Sequence, residues 1–375
     1  MSNRGLSIDY SRSAGTPFDR GFVGSLCAIV VGAGALGSEV VKMLGLLGWG
    51  EVRVVDPDVV EASNLTRAVL LRDPASIGRN KAEAIVAAGR ALFPDTRWRA
   101  FGVEIADLGF QWLRGQSVLF GCVDSELARL EIASITNRLD LPCCDGGLAA
   151  GGASRGRASF FPARDGACFC CTLTPETRRG LLTQWISPRH PCGAGEIAGA
   201  ETVVPSTPAI ASVVAGLQVE LAVRELRYRS HREARSWEVS LEASPRLDEI
   251  AIPLSDTCPF HDHDEQVALL ECEPVMTVRD LLRRAESAVG PDALLLLDWP
   301  LCVAARCLDC GAGWRPMRRL AAVRRRCPEC DGAHIELTRV VDHIDLDSDF
   351  ADAELSLVGV PERHLCTVVR AKGAV

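Results

Sequence analysis

The chain has 375 residues, 47% of them apolar, and a formal net charge of −8. The acidic balance argues against nucleic acid as the main ligand, and no run of 18 apolar residues exists to span a membrane as a helix. The length exceeds what one core comfortably fills, so two domains are expected, residues 1–264 and 265–375. Residues 1–20 are polar with scattered arginines and lack the apolar segment of a secretory signal, so a cytoplasmic location is expected. Sixteen cysteines in such a chain read as metal ligands, nucleophiles or buried small residues, not as a disulfide framework.

In chain order, an apolar strand, Leu26 to Val31, enters Gly32-Ala33-Gly34-Ala35-Leu36-Gly37, and an amphipathic helix from Ser38 to about Leu47 leaves it. That strand–glycines–helix context is what a dinucleotide-type G-x-G-x-x-G loop requires. A second strand, Glu51 to Val55, closes on Asp56, placed to accept hydrogen bonds from ribose hydroxyls while the helix N-terminus offers amides to phosphate. Asn64 and Arg67 follow in the next loop and Lys81 starts the next helix, Ala82 to Leu92. Hydride transfer has no evident use for these polar and cationic groups around a phosphate chain. Of 41 Lys and Arg residues only Lys42, Lys81 and Lys372 are lysine, as an arginine-biased genome would give, yet Lys81 stands out.

The alternation continues with a strand at Trp98 to Val103, a short helix at Leu108 to Leu113, and a strand from Ser117 to Gly121 that ends at Cys122-Val123-Asp124. A helix, Glu126 to Leu139, and a short buried strand, Leu141 to Cys144, complete a mostly parallel, Rossmann-like α/β sheet with crossover helices. Beyond Gly146-Gly147, Arg157 to Phe161 reads as an antiparallel strand, and Gly180 to Pro205 as a long Gly- and Pro-rich loop containing Cys192. A helix at Pro208 to Leu226 and two pairing strands, Trp237 to Leu241 and Asp248 to Ile252, make up an antiparallel extension. In the smaller C-terminal domain a helix is expected at Val278 to Val289 and a strand at Leu294 to Asp298. There Cys307-x-x-Cys310 and Cys327-x-x-Cys330, 16 residues apart, predict a zinc ribbon within residues 305–332. The arginines between the pairs, Arg315 to Arg326, fit a solvated ribbon surface. Cys27, Cys122, Cys143 and Cys144 fall on strands and read as core.

With Asp124 reached, residues 8–264 resemble the family of ThiF, MoeB and HesA, adenylating enzymes related to ubiquitin-activating enzymes. The likeness rests on the glycine loop with Asp56, on Ser63-Asn64-Leu65-Thr66-Arg67, on Gly78-Arg79-Asn80-Lys81 and on Cys122-Val123-Asp124. The family's N-terminal R-Y-x-R survives in part as Asp9-Tyr10-Ser11-Arg12. The resemblance implies that Arg12 reaches ATP from a neighbouring subunit, hence a homodimer. It assigns charge neutralisation at the α-phosphate to Arg67, Lys81 and Arg12, orientation to Asn64, a Mg²⁺-binding carboxylate to Asp124, and the nucleotide floor to Gly32, Gly34, Gly37 and Asp56.

The resemblance also implies zinc at Cys168 and Cys171 with Cys258 and His261, a Cys₃His set in which Cys170 and His263 are alternative ligands. It makes Cys192, in Arg189-His190-Pro191-Cys192-Gly193, the acceptor of a thioester or of sulfur. The expected function is ATP-dependent adenylation of the C-terminal glycine of a ubiquitin-like protein followed by transfer to Cys192, with the ribbon domain recruiting a modifier or a conjugating enzyme. Activation of a sulfur-carrier protein by persulfide chemistry, adenylation of a peptide or small metabolite, and a non-catalytic nucleotide-binding scaffold are the alternatives.

Overall fold

A computed structural model describes residues 8–149, 154–163, 166–185, 207–228, 233–242, 244–261, 267–273, 275–320, 323–324 and 326–370. In chain order the elements are α1 (Arg20–Val23), β1 (Cys27–Val31), α2 (Ala35–Leu46), β2 (Glu51–Val55), α3 (Lys81–Leu92) and β3 (Arg97–Phe101). There follow β4 (Val118–Gly121), α4 (Glu126–Arg138), β5 (Cys143–Leu148), β6 (Arg155–Phe161), α5 (Pro175–Trp185) and α6 (Pro208–Tyr228). The remainder is β7 (Ala234–Ser240), β8 (Arg246–Ile252), β9 (Val267–Glu271), α7 (Val278–Val289), β10 (Ala293–Cys307), β11 (Gly313–Trp314), β12 (Arg318–Arg319), β13 (Ile335–Ile344) and β14 (Leu365–Arg370).

The chain divides into two units, the first comprising Met1–Ala106, Leu113–Thr174 and Glu201–His261, and the second Asp107–Trp112, Pro175–Ala200 and Asp262–Val375. In the first unit eight strands run in the order β3-β2-β1-β4-β5-β6-β7-β8. The pairs from β3 to β5 are parallel, and β5-β6, β6-β7 and β7-β8 are antiparallel. The parallel strands are apolar runs because both faces are covered: Ala28, Ile29 and Val30 of β1 and Val118, Leu119 and Phe120 of β4 are fully buried. Each of the larger of these side chains contributes roughly 1.5–3 kcal/mol by leaving water.

The helix after the glycines begins at Ala35, three residues before the expected Ser38, so Gly37 lies in its first turn. The segment expected as a short helix at Leu108 to Leu113 is two 3₁₀ turns, Ile105–Asp107 and Phe110–Trp112. Part of the long loop expected from Gly180 is also helical, since α5 runs to Trp185. Pro175 pre-sets the first helical φ and Glu176 sits in the first turn, where the helix dipole favours an acid. Cys192 and the rest of that loop lie outside the described residues.

In the second unit β11, β10, β14 and β9 form an ordered path, with β12 and β13 also pairing β10. The expected strand at Leu294 extends to Cys307 because β10 passes through Pro300. Lacking an N–H, proline breaks the ladder there, and the register against β13 jumps between Leu296 and Leu301. The amphipathic α7 buries Val278, Leu281, Leu282, Ala285 and Val289 in a core with Leu295, Val303 and Val368. Among the described residues no helix is long and apolar enough to cross a membrane.

Candidate functional site

The sheet order reverses at β1, which lies between β2 and β4. In an open α/β sheet the crevice beyond the carboxyl ends of such strands is where ligands bind. The glycine loop leaves β1 there and Cys122-Val123-Asp124 leaves β4. The two turns are in contact: Gly32 has φ +94°, and a Cβ on it would stand 2.6 Å from the Cys122 carbonyl oxygen. Gly37 faces inward, where a Cβ would fall 1.9 Å from the Gly32 carbonyl oxygen. Gly34 differs, because a Cβ there would meet no atom within 4 Å. It is the N-cap of α2 and offers no side-chain cap to the first amides of that helix. Uncapped amides at a helix N-terminus favour an anion.

Asp56, at the end of β2, is buried and closes this loop from below. Its Oδ2 accepts the Ala33 N–H at 2.6 Å and its Oδ1 accepts the Asp58 N–H at 2.8 Å. Burial pushes its carboxyl above the usual value, against the two amide bonds and the Lys81 charge. Lys81 opens α3, its ammonium 2.8 Å from the exposed Asp58 carboxylate. Asp58 was not singled out in the sequence; a second acid two residues after Asp56 was the signal. Asn64 is buried and works on its own backbone, its Oδ1 accepting the Glu61 N–H at 2.9 Å to shape the turn that presents Arg67. The structure thus gathers Gly32, Gly34, Gly37, Asp56, Asp58 and Lys81 at one crevice. Arg12 lies exposed on the 3₁₀ turn Ser11–Ser13, and among the described residues no hydrogen bond or ion pair joins it to these groups.

Asp124 is exposed, and the capping of α4 falls to the next residue: the Ser125 hydroxyl accepts the Ala128 N–H at 3.0 Å. Asp124 therefore keeps its carboxylate out of the helix cap. The turn beneath it is fixed by Arg129, which donates to the Val123 and Gly146 carbonyls at 2.7 and 3.2 Å. The same guanidinium bonds both carboxylate oxygens of Asp145, at 3.1 and 3.2 Å. Asp145 is buried, and desolvation raises its pKa against the opposing pull of Arg129 and Arg157. Sequence reasoning missed this pair; the signal was one carboxylate inside the otherwise uncharged run Cys143 to Leu148. Cys122, Cys143 and Cys144 are buried, and desolvation holds all three as thiols, in keeping with core residues.

Two clusters have the donor sets and spacing to hold a metal ion. Cys168, Cys171, Cys258 and His261 bring their ligand atoms within 4.8 Å of one another, as do Cys307, Cys310, Cys327 and Cys330. In the first, the Cys168 Sγ is 3.7 Å from Cys258 and the His261 Nε2 is 3.3 Å from the Cys171 Sγ. Cys170 is buried between them outside the four, and His263 lies outside the described residues. Hydrogen bonds from the thiols of Cys168, Cys170 and Cys171 lower the pKa of Cys258. In the second, the Cys307–Cys330 and Cys310–Cys327 sulfurs are each 3.7 Å apart. The Glu329 amide donates to the Cys327 Sγ at 3.4 Å, and Cys327 is brought down to about 7.

Sheet order, glycine loop and crevice together define an open α/β protein of the Rossmann kind. More narrowly, the chain belongs to the ThiF family, whose model matches residues 24–247. It is 31% identical over 176 residues to a NEDD8-activating enzyme E1 catalytic subunit of Caenorhabditis elegans, covering 44% of this chain and 41% of that protein. It is 32% identical over 161 residues to a SAMP-activating enzyme E1 of Haloferax volcanii, covering 43% and 57%. The chain therefore spans only about half the length of such relatives. Its fold resembles crystalline E. coli MccB, with a TM-score of 0.53 at 15% identity, over 69% of this chain and 73% of that one.

Proposed function

We propose that this chain transfers AMP from ATP to the C-terminal glycine carboxylate of a ubiquitin-like protein and then captures the acyl group as a thioester on Cys192. The observation that carries this reading is the switch point itself, where Asp56 ties the glycine loop to the Asp58 that pairs with Lys81, Gly34 is open, and Asp124 on the opposite turn is left out of the helix cap. In the first step a carboxylate oxygen of the substrate attacks the α-phosphorus and the bond to pyrophosphate breaks. The amides at the α2 N-terminus hold the phosphate chain, and Lys81 and Arg67 offset its charge. Asp124 would bind Mg²⁺, which when bound organises the departing pyrophosphate. Asp56 holds the loop and accepts from a ribose hydroxyl. In the second step the Cys192 thiolate attacks the acyl carbonyl and AMP leaves. Arg12 would complete the site from a second subunit of a homodimer, and the second unit would recruit a conjugating enzyme.

Both cysteine clusters fit Zn²⁺: thiolates and imidazole at tetrahedral spacing, with an amide hydrogen bond on the Cys327 sulfur. Zinc at each would be structural. A second reading, activation of a sulfur-carrier protein with Cys192 as a persulfide, is favoured by 28% identity over 180 residues to an adenylyltransferase and sulfurtransferase UBA4 of Meyerozyma guilliermondii.

ATP–pyrophosphate exchange with candidate proteins ending in glycine, followed by non-reducing gels, separates these. Exchange that survives Cys192→Ala but is lost in Asp124→Ala, with a thiol-sensitive adduct only when Cys192 is present, is the expected pattern. An adduct that persists in Cys192→Ala refutes the nucleophile, and a cyanide-labile sulfur on Cys192 favours the sulfur-carrier reading. No exchange with any partner would leave a nucleotide-binding scaffold.

A further inference from the structure

Outside the crevice, the imidazole of one candidate metal ligand meets a buried side chain with no assigned role. Asn137, in the last turn of α4, is only 3% exposed, and its side-chain Nδ2 lies 3.1 Å from the Nδ1 of His261. The other ring nitrogen, Nε2, faces the Cys171 sulfur at 3.3 Å, so the imidazole is oriented with Nε2 toward the cysteines and Nδ1 toward α4. We infer that Asn137 is the positioning residue of this metal centre, holding His261 in the Nδ1–H tautomer so that Nε2 carries the lone pair to the metal. The inference rests on reading Cys168, Cys171, Cys258 and His261 as a zinc site.

A neutral imidazole has one N–H and one lone pair, and a metal on Nε2 puts the hydrogen on Nδ1. That N–H needs an acceptor. The Nδ2 end of the Asn137 amide stands at that position, and a half-turn of the side chain, which interchanges the two ends of the amide, puts Oδ1 there as the acceptor. Two features make the arrangement selective. Asn137 is buried, so water is not at hand to replace it, and its backbone carbonyl is already engaged by the Leu139 and Asp140 amides, which fixes the residue from which the side chain projects. Partners of this kind, bonded to the far nitrogen of a ligating histidine, change metal affinity by about 10–100-fold when removed.

The test is a zinc-affinity measurement by competition with a chromophoric chelator, on the full chain carrying Cys310→Ser so that the ribbon does not contribute. Asn137→Ala should weaken zinc by about 10–100-fold, whereas Asn137→Asp, which still accepts from Nδ1–H, should stay close to the parent. In a His261→Ala background Asn137→Ala should add no further loss. Equal affinity in Asn137→Ala and the parent overturns the inference, as does an equal loss with and without His261, which would mean that Asn137 acts by packing alone. If the Cys310→Ser chain itself binds no zinc while circular dichroism shows it folded, the metal reading of the cluster fails, and this role for Asn137 with it.

Discussion

Gly34 and Gly37 stand three residues apart in one motif, and alanine at each should fail in opposite ways. At Gly37 the new Cβ falls 1.9 Å from the Gly32 carbonyl oxygen, where a carbon–oxygen contact needs about 3.3 Å. The obstacle is backbone, so the loop must shift by more than an ångström. Overpacking of this kind costs about 1–3 kcal/mol or more, and the better helix propensity of alanine returns about 1. With the cost at the upper end, about 3 kcal/mol because the obstacle is backbone, the net loss of roughly 2 kcal/mol should lower the melting temperature of the first unit by about 4–8 °C. At Gly34 the Cβ meets nothing, and the backbone, φ −76° and ψ −156°, is open to alanine. Stability should change by less than about 1 kcal/mol, the loss of a preferred N-cap offsetting a stiffer unfolded chain. The methyl nevertheless occupies the space in front of the α2 amides, so MgATP affinity should fall at least tenfold, about 1.4 kcal/mol. Calorimetric melting and MgATP titration on both variants read the two effects separately. A Gly34→Ala protein that binds MgATP like the parent, or that melts as low as Gly37→Ala, would refute this account of the loop.

Asp124→Asn should abolish pyrophosphate exchange while shifting stability by less than about 0.5 kcal/mol, because the residue is exposed and Ser125 does the capping; a large drop in melting temperature would contradict that division of labour. Arg129→Met leaves the buried Asp145 carboxylate without its main partner and should cost about 3–5 kcal/mol at neutral pH by chemical denaturation. Burial already raises the Asp145 pKa, so the native state holds its proton above the pH at which the unfolded chain releases it, and stability falls as pH rises through that window. The deficit of Arg129→Met should therefore shrink as pH is lowered from 7 toward 4, and a deficit constant with pH would show that Asp145 is not its cause. Zinc analysis should find two equivalents per chain, one after Cys258→Ser. A chelator should strip the ribbon first, since Cys310 and Cys330 are exposed whereas Cys168 and Cys258 are buried; a single release phase would count against this.

The parallel half of the sheet was legible because buried strands are apolar runs and the loop glycines carry a pattern of their own. Spacing alone located Cys307, Cys310, Cys327 and Cys330, since a knuckle is a local structure. What escaped is what depends on long-range pairing. Arg129 and Asp145 are 16 residues apart with no periodic signal, and Asn137 meets His261 across 124 positions. The second unit was read least well: β13 and β14 pair with β10, and β9 with β14, across long stretches of chain, and Pro300 masks the length of β10. The segment Asp107–Trp112, expected as part of the first domain, packs with the second unit, where the Phe110 ring lies 4.1 Å from that of His364. Nothing local announces such a contact.

The bond from the Ala33 amide to Asp56 bears on how fast a nucleotide is taken up. Because the carboxylate already grips the loop, that part of the site is ordered before the nucleotide arrives, and less ordering entropy is lost on binding. Association of nucleotide should then follow a single phase whose rate rises linearly with concentration, with any later isomerisation belonging to the acyl substrate.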